Sequence, residues 1–246
     1  MSMGLLKKLF RRTPKRTRPY CAAIIAAAGS SVRYGGENKL MQELGGMPVL
    51  ARTLLAVDRA GSIDEIVIAA REDELLPYAQ LCKTFGIQKP VKVVPGGATR
   101  TESVLRAALE ASEGATLLAV QDGARPLVTS ALIDDAVAAA QRYHAAAPAV
   151  PVTDTIKVAH DGIVESTPER STLFAVQTPQ VFDAELLKAA LQDALRADAA
   201  LTDDCSAVER FGKEVHLTAG DRENIKITTP LDLTIAEAIL QRREES

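Results

Sequence analysis

Short apolar runs alternate with amphipathic segments through the first half of the chain. Four of these runs fit strands that are buried on both faces, at residues 21–28, 66–70, 91–94 and 115–121. Between them, apolar residues recur at helical spacing, in the segment that Pro48 opens and at residues 75–85 and 102–110. Repeated strand–helix units of this length predict an α/β fold on a mostly parallel, doubly wound sheet, of the Rossmann-like kind.

The second half of the chain departs from this alternation. Residues 149–152 and 155–158 fit strands, and Asp161-Gly162 is typical of a two-residue hairpin turn. We interpret residues 149–172 as a β-hairpin arm that projects from the sheet. Such an arm often mediates dimerisation, although a surface hairpin without a partner is equally common. The remaining segments predict helices at 186–195, 205–211 and 231–243 and short strands at 215–218 and 225–228.

Length and composition agree with a single globular domain over residues 20–246. The chain has 246 residues, 47% of them apolar and 25% charged, and it shows no internal repeat. No apolar run approaches the roughly 20 residues that span a bilayer, so no stable membrane anchor is expected. Cys21, Cys82 and Cys205 form no CxxC pair, which disfavours a metal cage or a disulfide framework and predicts a reducing, cytoplasmic location.

The charge is distributed unevenly. Residues 1–20 carry seven basic residues and no acidic one, whereas the other 226 residues carry 22 basic and 32 acidic ones. An acidic body of this kind does not suit a nucleic-acid-binding domain, so no nucleic-acid partner is expected. Residues 1–19 lack the long apolar core of a secretory signal, and we interpret them as a basic, flexible N-terminal extension. The alternative is a tail that touches a membrane surface through Leu5, Leu6, Leu9 and Phe10.

A loop of small residues follows the first predicted strand and carries two cations, Arg33 and Lys39. Small residues let backbone N–H groups approach phosphate oxygens, and the cations neutralise charge that develops during phosphoryl transfer. The loop lacks the Gly-Lys-Ser/Thr of a Walker A motif and the glycine spacing of a dinucleotide-binding turn. Taken alone, it is equally consistent with a Gly/Ser-rich turn whose two cations are merely solvated.

In a parallel sheet, ligands bind beyond the carboxyl ends of the strands. Residues 29–39, 95–103 and 122–126 lie at three such ends and are expected to converge. Asp122 suits Mg²⁺ or another divalent cation beside phosphate oxygens, with Arg125 binding phosphate or closing an ion pair; the alternative is an Asp-Gly turn with a surface arginine. The loop at 95–103 suits a nucleotide, or it is simply a helix start capped by Thr101 or Ser103.

Other chemistry is poorly supplied. The three histidines His144, His160 and His216 are accompanied by no Gly-x-Ser-x-Gly elbow, so nothing supports a Ser-His-Asp triad. Lys157, Arg170 and Lys226 lie in polar, turn-rich sequence, where a cation is usually only solvated.

Taken together, seven segments in order resemble the 2-C-methyl-D-erythritol 4-phosphate cytidylyltransferases, over residues 21–240. Each segment alone is weak, but their order is specific. They are Ala27-Ala28-Gly29 with Arg33 and Lys39; Gly96-Gly97 through Arg100 and Ser103; residues 122–126; residues 151–157; Thr178-Pro179-Gln180; Thr202-Asp203-Asp204; and residues 224–228.

The resemblance implies a nucleotidyltransferase that uses CTP as co-substrate and Mg²⁺ as cofactor, and that transfers CMP to a sugar-alcohol phosphate with release of pyrophosphate. It implies that Arg33 and Lys39 stabilise the transition state and that Asp122 holds the metal. The nucleotide would contact Ala27, Ala28, Gly29, Gly97, Arg100, Ser103, Asp122 and Gly123. The sugar phosphate would contact Arg125, Thr155, Arg170, Thr178 and Lys226, with Thr155 and Arg170 serving the neighbouring subunit of a homodimer joined through the 149–172 arm.

The sequence departs from the usual family pattern at two positions in the phosphate loop. Glycine is usual where Ser31 lies, and proline is usual where Asn38 lies, directly before Lys39. Ser31 makes a positive φ less comfortable, and Asn38 removes rigidity from the segment that delivers Lys39. Neither change removes a cation or a carboxylate that the implied chemistry needs.

Three other functions compete with this interpretation. Ribitol 5-phosphate cytidylyltransferases share the fold and the chemistry, but Arg170 and Lys226 in their contexts favour methylerythritol phosphate. Sugar-1-phosphate nucleotidylyltransferases typically carry a fuller Gly-x-Gly-x-Arg loop and lack the Asn-Ile-Lys segment. A non-catalytic nucleotide-binding relative would not need Arg33, Lys39 and Asp122 together.

Overall fold

The computed structural model describes residues 18–29 and 38–245. Its strands are β1 (Cys21–Ala26), β2 (Glu43–Leu44), β3 (Met47–Pro48), β4 (Glu65–Ala70), β5 (Val91–Pro95), β6 (Leu117–Asp122), β7 (Ala145–Pro151), β8 (Val158–His160), β9 (Ile163–Ser166), β10 (Phe174–Val176), β11 (Gln180–Asp183) and β12 (His216–Ala219). Its helices are α1 (Val49–Arg59), α2 (Leu75–Thr84), α3 (Arg100–Leu109), α4 (Ser130–Tyr143), α5 (Ala184–Arg196), α6 (Asp204–Arg210) and α7 (Pro230–Glu244).

Eight of the strands form one twisted sheet. The order is β10-β7-β11-β6-β1-β4-β5, with β12 beside β7. The pairs that join β1, β4, β5 and β6 are parallel, as is the β7–β12 pair, whereas β10 and β11 pair antiparallel with their neighbours. The prediction of an α/β fold on a mostly parallel sheet is confirmed.

Helices cover both faces of this sheet, as double winding requires. Alternate residues of β1 point to opposite sides: Ile25 belongs to the core that α1, α2 and α4 cover, and Ile24 to the core that α3, α5 and α6 cover. Both residues are fully buried. A strand that is apolar on both sides is the reason why the sequence shows a continuous apolar run here.

A hairpin is present, but it is shorter than the predicted arm at 149–172, because residues 149–151 belong to β7 and pair within the main sheet. β8 and β9 pair antiparallel around a turn in which Asp161 and Gly162 have φ of 49° and 81°, the positive values of a type I′ turn. The predicted strand at 155–158 begins only at Val158. The cause is on the opposite side of the hairpin, where Pro168 has no N–H to donate and a single 3₁₀ turn follows at Arg170–Thr172.

The predicted strand at 225–228 is wrong. The backbone N–H groups of this segment do not bond to a neighbouring strand: Ile227 N donates to Ala124 O in the loop after β6 (2.8 Å), and Thr228 N donates to the Asp232 carboxylate in the first turn of α7 (2.8 Å). Asp232 also accepts from Thr229 in the capping box of α7. The segment is therefore fixed between the loop after β6 and the start of α7.

Five elements were missing from the sequence interpretation, among them the two-residue strands β2 and β3. Helix α4 begins after Thr129, whose side chain accepts a hydrogen bond from Leu132 N (3.2 Å). Strands β10 and β11 are three and four residues long and are separated by a bend that contains Thr178-Pro179. Such short strands carry too few alternating positions for a periodic signal.

The amino end of the described chain is tied to the body. Arg18 donates to both carboxylate oxygens of Asp64 (2.7 and 3.0 Å) and to Ser62 O (2.9 Å). The rest of the predicted basic extension, residues 1–17, lies outside the described residues. Within residues 18–29 and 38–245, none of the helices combines the length and the apolarity that crossing a bilayer requires.

Candidate active site

The carboxyl ends of β1, β5 and β6 meet at one edge of the sheet, because these strands and the intervening β4 all run parallel. A cavity of about 310 Å³ lies there. The three segments that we expected to converge all contribute to it. Of the predicted site residues, those that line this cavity are Ala27, Ala28, Gly29, Lys39, Gly97, Arg100, Ser103, Asp122 and Lys226.

Gly96 allows the backbone after β5 to pass close to the backbone after β1. A Cβ atom at this position would lie 2.5 Å from the Ala28 Cβ and 3.0 Å from the Ser103 Oγ. Real Cβ atoms do not approach so closely, and the Gly96 N–H also donates to Ala70 O (2.7 Å). A glycine is needed here because of the close approach and not because of a positive φ.

The loop between Gly97 and Thr99 is held by side chains of α3. Gly97 N donates to the Ser103 hydroxyl (2.9 Å), and Ala98 N donates to the Glu102 carboxylate (2.7 Å). The helix cap is Thr99, whose hydroxyl accepts from Glu102 N (3.1 Å), and not Thr101 or Ser103 as one alternative had it. Ser103 therefore shapes the wall of the cavity through its contacts with the loop.

Asp122, the last residue of β6, lies among three cations. Its carboxylate is 2.9 Å from Lys226 Nζ, 3.4 Å from Arg125 Nε and 3.7 Å from Arg100 Nη2. Its side chain is 8% exposed. Burial by itself disfavours the charged form, yet the three cations outweigh it and hold the pKa of Asp122 below its ordinary value.

Arg100 bridges Asp122 to a second carboxylate that is deeper in the protein. Its Nη2 lies 2.8 Å from Asp204 Oδ2, and Asp204 is 1% exposed. Burial lowers the pKa of Arg100, but the two carboxylates outweigh it, so that the net pKa is raised. Burial also raises the pKa of Asp204, and Arg100 offsets this only in part.

A second, smaller cavity of about 140 Å³ shares Arg100, Asp122 and Lys226 with the first. Two further predicted residues, Arg125 and Thr178, line it. The Thr178 hydroxyl accepts from Asp122 N (3.1 Å), which ties the bend before β11 to the end of β6. The two cavities are thus adjoining compartments around one charged cluster.

Lys226 is carried on a segment that is fastened to the loop after β6. Arg125 Nη1 donates to Asn224 O (2.6 Å), and Ile227 N donates to Ala124 O (2.8 Å). Asn224 is fully buried and donates to Thr178 O (3.0 Å). Burial lowers the pKa of Arg125, and Asp122 opposes the shift in part. Side-chain anchors on both sides therefore fix where the Lys226 ammonium lies.

Four predicted site residues lie elsewhere. Arg33 is outside the described residues. Gly123 lines neither cavity: it lies beneath the first, where its N–H donates to Ala26 O (3.1 Å) and its carbonyl accepts from the Thr53 hydroxyl (2.9 Å). Thr155 and Arg170 are exposed on the arm and line neither cavity of their own chain.

The sequence interpretation missed the partners of Arg100. Asp203 and Asp204 appeared only as part of a matching segment, and Gln180 likewise. In the structure, Gln180 Nε2 donates to the Asp203 carboxylate (2.8 Å), while its Oε1 accepts from the N–H groups of Asp204 and Cys205 (3.0 Å each). The adjacent acidic pair was the visible signal, but its arginine partner is about 100 positions away in the chain.

Sequence and structure comparisons identify similar proteins over almost the whole described chain. A profile of the family described as 2-C-methyl-D-erythritol 4-phosphate cytidylyltransferase matches residues 21–242. A protein of that name from Bacillus mycoides is 43% identical over 218 residues, which cover 88% of this chain and 96% of the relative. One from Synechococcus elongatus is 44% identical over 223 residues, covering 90% of this chain and 96% of the relative. The solved structure of 4-diphosphocytidyl-2C-methyl-D-erythritol synthase from Anaerococcus prevotii is 32% identical, with a TM-score of 0.82 and coverage of 91% of this chain and 96% of that one.

The lowered pKa of Asp122 makes its contribution to stability pH-dependent. A carboxyl group whose pKa is lower in the folded than in the unfolded chain stabilises the fold above the unfolded pKa, and this contribution is lost as the pH falls through the folded value. We expect Asp122→Asn to lower the free energy of unfolding by about 3 kcal/mol at pH 7, since it leaves cations unpaired, and by progressively less as the pH falls from about 4, the ordinary pKa of the group, through its lower folded value.

Urea titrations of the wild type and the variant across this range measure the effect. Asp73→Asn serves as the control, because Asp73 pairs with Arg71 at an exposed site. A loss that stays constant from pH 7 to the acid limit contradicts the assignment.

Proposed function

The chain belongs to the 2-C-methyl-D-erythritol 4-phosphate cytidylyltransferase family, and we propose that it transfers the CMP group of CTP to 2-C-methyl-D-erythritol 4-phosphate with release of pyrophosphate. The observation that carries this proposal is the cluster in which Lys39, Arg100 and Lys226 line one cavity together with Asp122. A cavity at the carboxyl edge of a parallel sheet that is rich in cations suits a triphosphate.

The first cavity holds CTP in this proposal. Ala27, Ala28, Gly29 and Gly97 form walls without bulky side chains, so that the nucleotide lies against the backbone. Lys39 neutralises charge on the α-phosphate as the transition state develops, together with Arg33 from the part of the chain that is not described. Arg100 is held in a fixed position by Asp204 and offers its remaining N–H groups to the ligand.

The second cavity holds the sugar phosphate. Arg125, Thr178 and Lys226 place two cations and a hydroxyl around a space that adjoins the first cavity. The reaction joins the two compartments: a phosphate oxygen of the sugar phosphate attacks the α-phosphorus of CTP, and the bond from the α-phosphorus to the pyrophosphate oxygen breaks in line. The attacking phosphate is already anionic near neutral pH, so that no strong base is required, and catalysis rests on positioning and charge neutralisation.

Mg²⁺ fits this site as an ion that enters with the triphosphate. Within the described residues there is no cluster of three His, Cys, Asp or Glu side chains that holds a metal alone. Asp122 supplies one carboxylate at the cavity wall, and Mg²⁺ prefers one or two carboxylates together with phosphate oxygens and water. The bound ion would neutralise phosphate charge, and Asp122 would hold it there. Another divalent cation that favours carboxylate and water ligands, such as Mn²⁺, would fit the same position.

The arm completes the neighbouring subunit's site in a homodimer. Its apolar side chains are exposed in the single chain: Ile163 is 73% exposed and Val164 is 55% exposed. Large apolar side chains that are exposed on a two-stranded hairpin are buried when a second subunit packs against it. Thr155 and Arg170 lie on this arm and therefore serve the partner's sugar phosphate.

Residues 20–246 act as one domain, and a cytoplasmic location agrees with three buried cysteines that are all unpaired.

The direct test of this function is pyrophosphate release with CTP and Mg²⁺. We expect turnover with 2-C-methyl-D-erythritol 4-phosphate, at least about 100-fold higher in kcat/KM than with ribitol 5-phosphate, because the family profile and the 43% identical relative both carry the name of the methylerythritol phosphate activity. A preference for ribitol 5-phosphate would identify the protein as a ribitol 5-phosphate cytidylyltransferase instead. Binding of CTP without turnover of either alcohol supports a non-catalytic relative.

Two variants test the roles of Lys39 and of the arm together. Lys39→Ala is expected to lower kcat by at least about 100-fold, since it removes a contact to the transition state. Arg170→Ala is expected to raise the KM for the sugar phosphate. If the arm serves the partner, a heterodimer of the two variants has one intact site, and an equal mixture that exchanges subunits recovers about a quarter of the wild-type activity.

The measurement is turnover of the co-refolded mixture at low sugar-phosphate concentration, with each variant alone as the reference. An arm that serves its own chain leaves both sites of the heterodimer defective. If the mixture is no more active than the separate variants, the assignment of the arm to the partner's site is wrong.

A matched pair of glycine substitutions tests the nucleotide cavity. Gly96→Ala is expected to weaken CTP binding at least about tenfold, because the new methyl group displaces Ala28 or Ser103 from the cavity wall. Gly114→Ala is the control, since a Cβ atom there meets no described atom within 4 Å. Isothermal titration of both variants with CTP decides the matter. Equal affinities argue against a nucleotide in the first cavity.

A further inference from the structure

Asn38 directly precedes Lys39, and its side chain is bound to Tyr78 of helix α2 and to Glu74, which lies directly before that helix. Its Nδ2 donates to the Glu74 Oε1 (2.7 Å) and to the Tyr78 hydroxyl oxygen (3.1 Å). Its Oδ1 accepts from Leu40 N (3.0 Å), on the other side of Lys39. The amide thus uses both of its donor hydrogens and its acceptor oxygen, and none of these bonds reaches a ligand cavity.

The backbone on the far side of Lys39 is fixed as well. Leu40 is 4% exposed, and its carbonyl accepts from Leu50 N (2.9 Å) in the first turn of α1. Met41 N donates to Asn38 O (3.0 Å), which closes a tight turn around the lysine. Lys39 is therefore held between two anchored residues, and its side chain lines the first cavity.

The groups that hold Asn38 are themselves held in place. Tyr78 is 1% exposed, and burial raises the pKa of its hydroxyl to about 12, so that the group is neutral at physiological pH. Glu74 pairs with Arg71 (3.1 Å) and has a side chain that is 13% exposed. Helix α2 packs into the core through Leu81, which is 4% exposed. The contact surface for Asn38 is therefore preorganised.

We propose that Asn38 is a positioning residue for the transfer reaction: Glu74 and Tyr78 hold its side-chain amide, and this contact sets where the Lys39 ammonium enters the nucleotide cavity. The inference rests on the proposed function. It assigns to α2, which lies at the outer edge of the sheet beside β5, a part in catalysis through Asn38 alone.

Hydrogen bonds here replace a covalent constraint. Proline, the usual residue at this position in the family that the sequence resembles, restricts the backbone through its ring. Asparagine has no such restriction, and its three hydrogen bonds supply the order. Aspartate has the same shape as asparagine but lacks the N–H donors and puts a second carboxylate against Glu74. Asn38→Asp therefore breaks the contact with the least change in volume.

The test is a double-mutant cycle with Lys39→Ala, read as single-turnover rates at saturating CTP and methylerythritol phosphate. We expect Asn38→Asp to slow the reaction by about 10- to 100-fold when Lys39 is present, since a small misplacement of a catalytic group has effects of this size. In the Lys39→Ala background the same change should cost less than about twofold, because there is no ammonium left to position.

A compensating pair of substitutions supplies the rescue. When Asn38→Asp is combined with Glu74→Gln, the new amide at position 74 donates to the new carboxylate at position 38, so that the hydrogen bond is restored with donor and acceptor exchanged. We expect this pair to regain most of the lost rate. Gln80→Ala, which removes an exposed hydrogen bond on the same helix, is the control and should leave the rate unchanged.

The outcomes separate the inference from the function. A wild type that does not turn over CTP refutes the proposed function, whatever the variants do. If the wild type turns over, equal losses in both backgrounds, no loss at all, or the absence of rescue by Glu74→Gln each overturn the positioning role. Thermal unfolding of every variant is measured alongside, and a rate loss that merely follows the melting temperature in both backgrounds counts against the proposal.

Discussion

The candidate site depends on one carboxylate. Asp122 lies within 3.7 Å of three cationic groups that come from the start of α3, the loop after β6 and the segment before α7. Cations gathered so closely repel one another, and the repulsion grows with burial. Asp122 compensates it at the end of a buried strand, where the hydroxyl of Thr178 accepts from its backbone N–H. Elements that are distant in sequence are therefore joined by charge balance as much as by apolar packing.

The general fold was readable from the sequence because its signals are local. Strands such as β1 and β4 are apolar on both faces, and a continuous apolar run shows this directly. The hairpin turn at Asp161-Gly162 was equally visible, since positive φ at both positions selects such residues. By contrast, residues 225–228 have the composition of a strand but no strand beside them, and only the three-dimensional neighbours reveal it.

The same distinction applies to the site. The convergence of three loops followed from the rule for parallel sheets, and those residues do line one cavity. The pairing of Arg100 with Asp204 could not be deduced from the sequence, because the position of Asp204 depends on how α6 packs against the sheet. The substitution at position 38 looked like a loss of rigidity. In the structure, the Asn38 side chain donates hydrogen bonds to Glu74 and Tyr78. These two residues are more than 30 positions away in the chain, and no sequence pattern links them to Asn38.

The loop after β5 has a consequence for the thermodynamics of ligand binding. Its amides at Gly97 and Ala98 are already bonded to Ser103 and Glu102 before any ligand arrives. The conformational entropy of this wall is therefore lost during folding and not during association. A ligand that enters the cavity meets a surface that is already ordered, so the entropy it forfeits is mainly its own rotational and translational freedom.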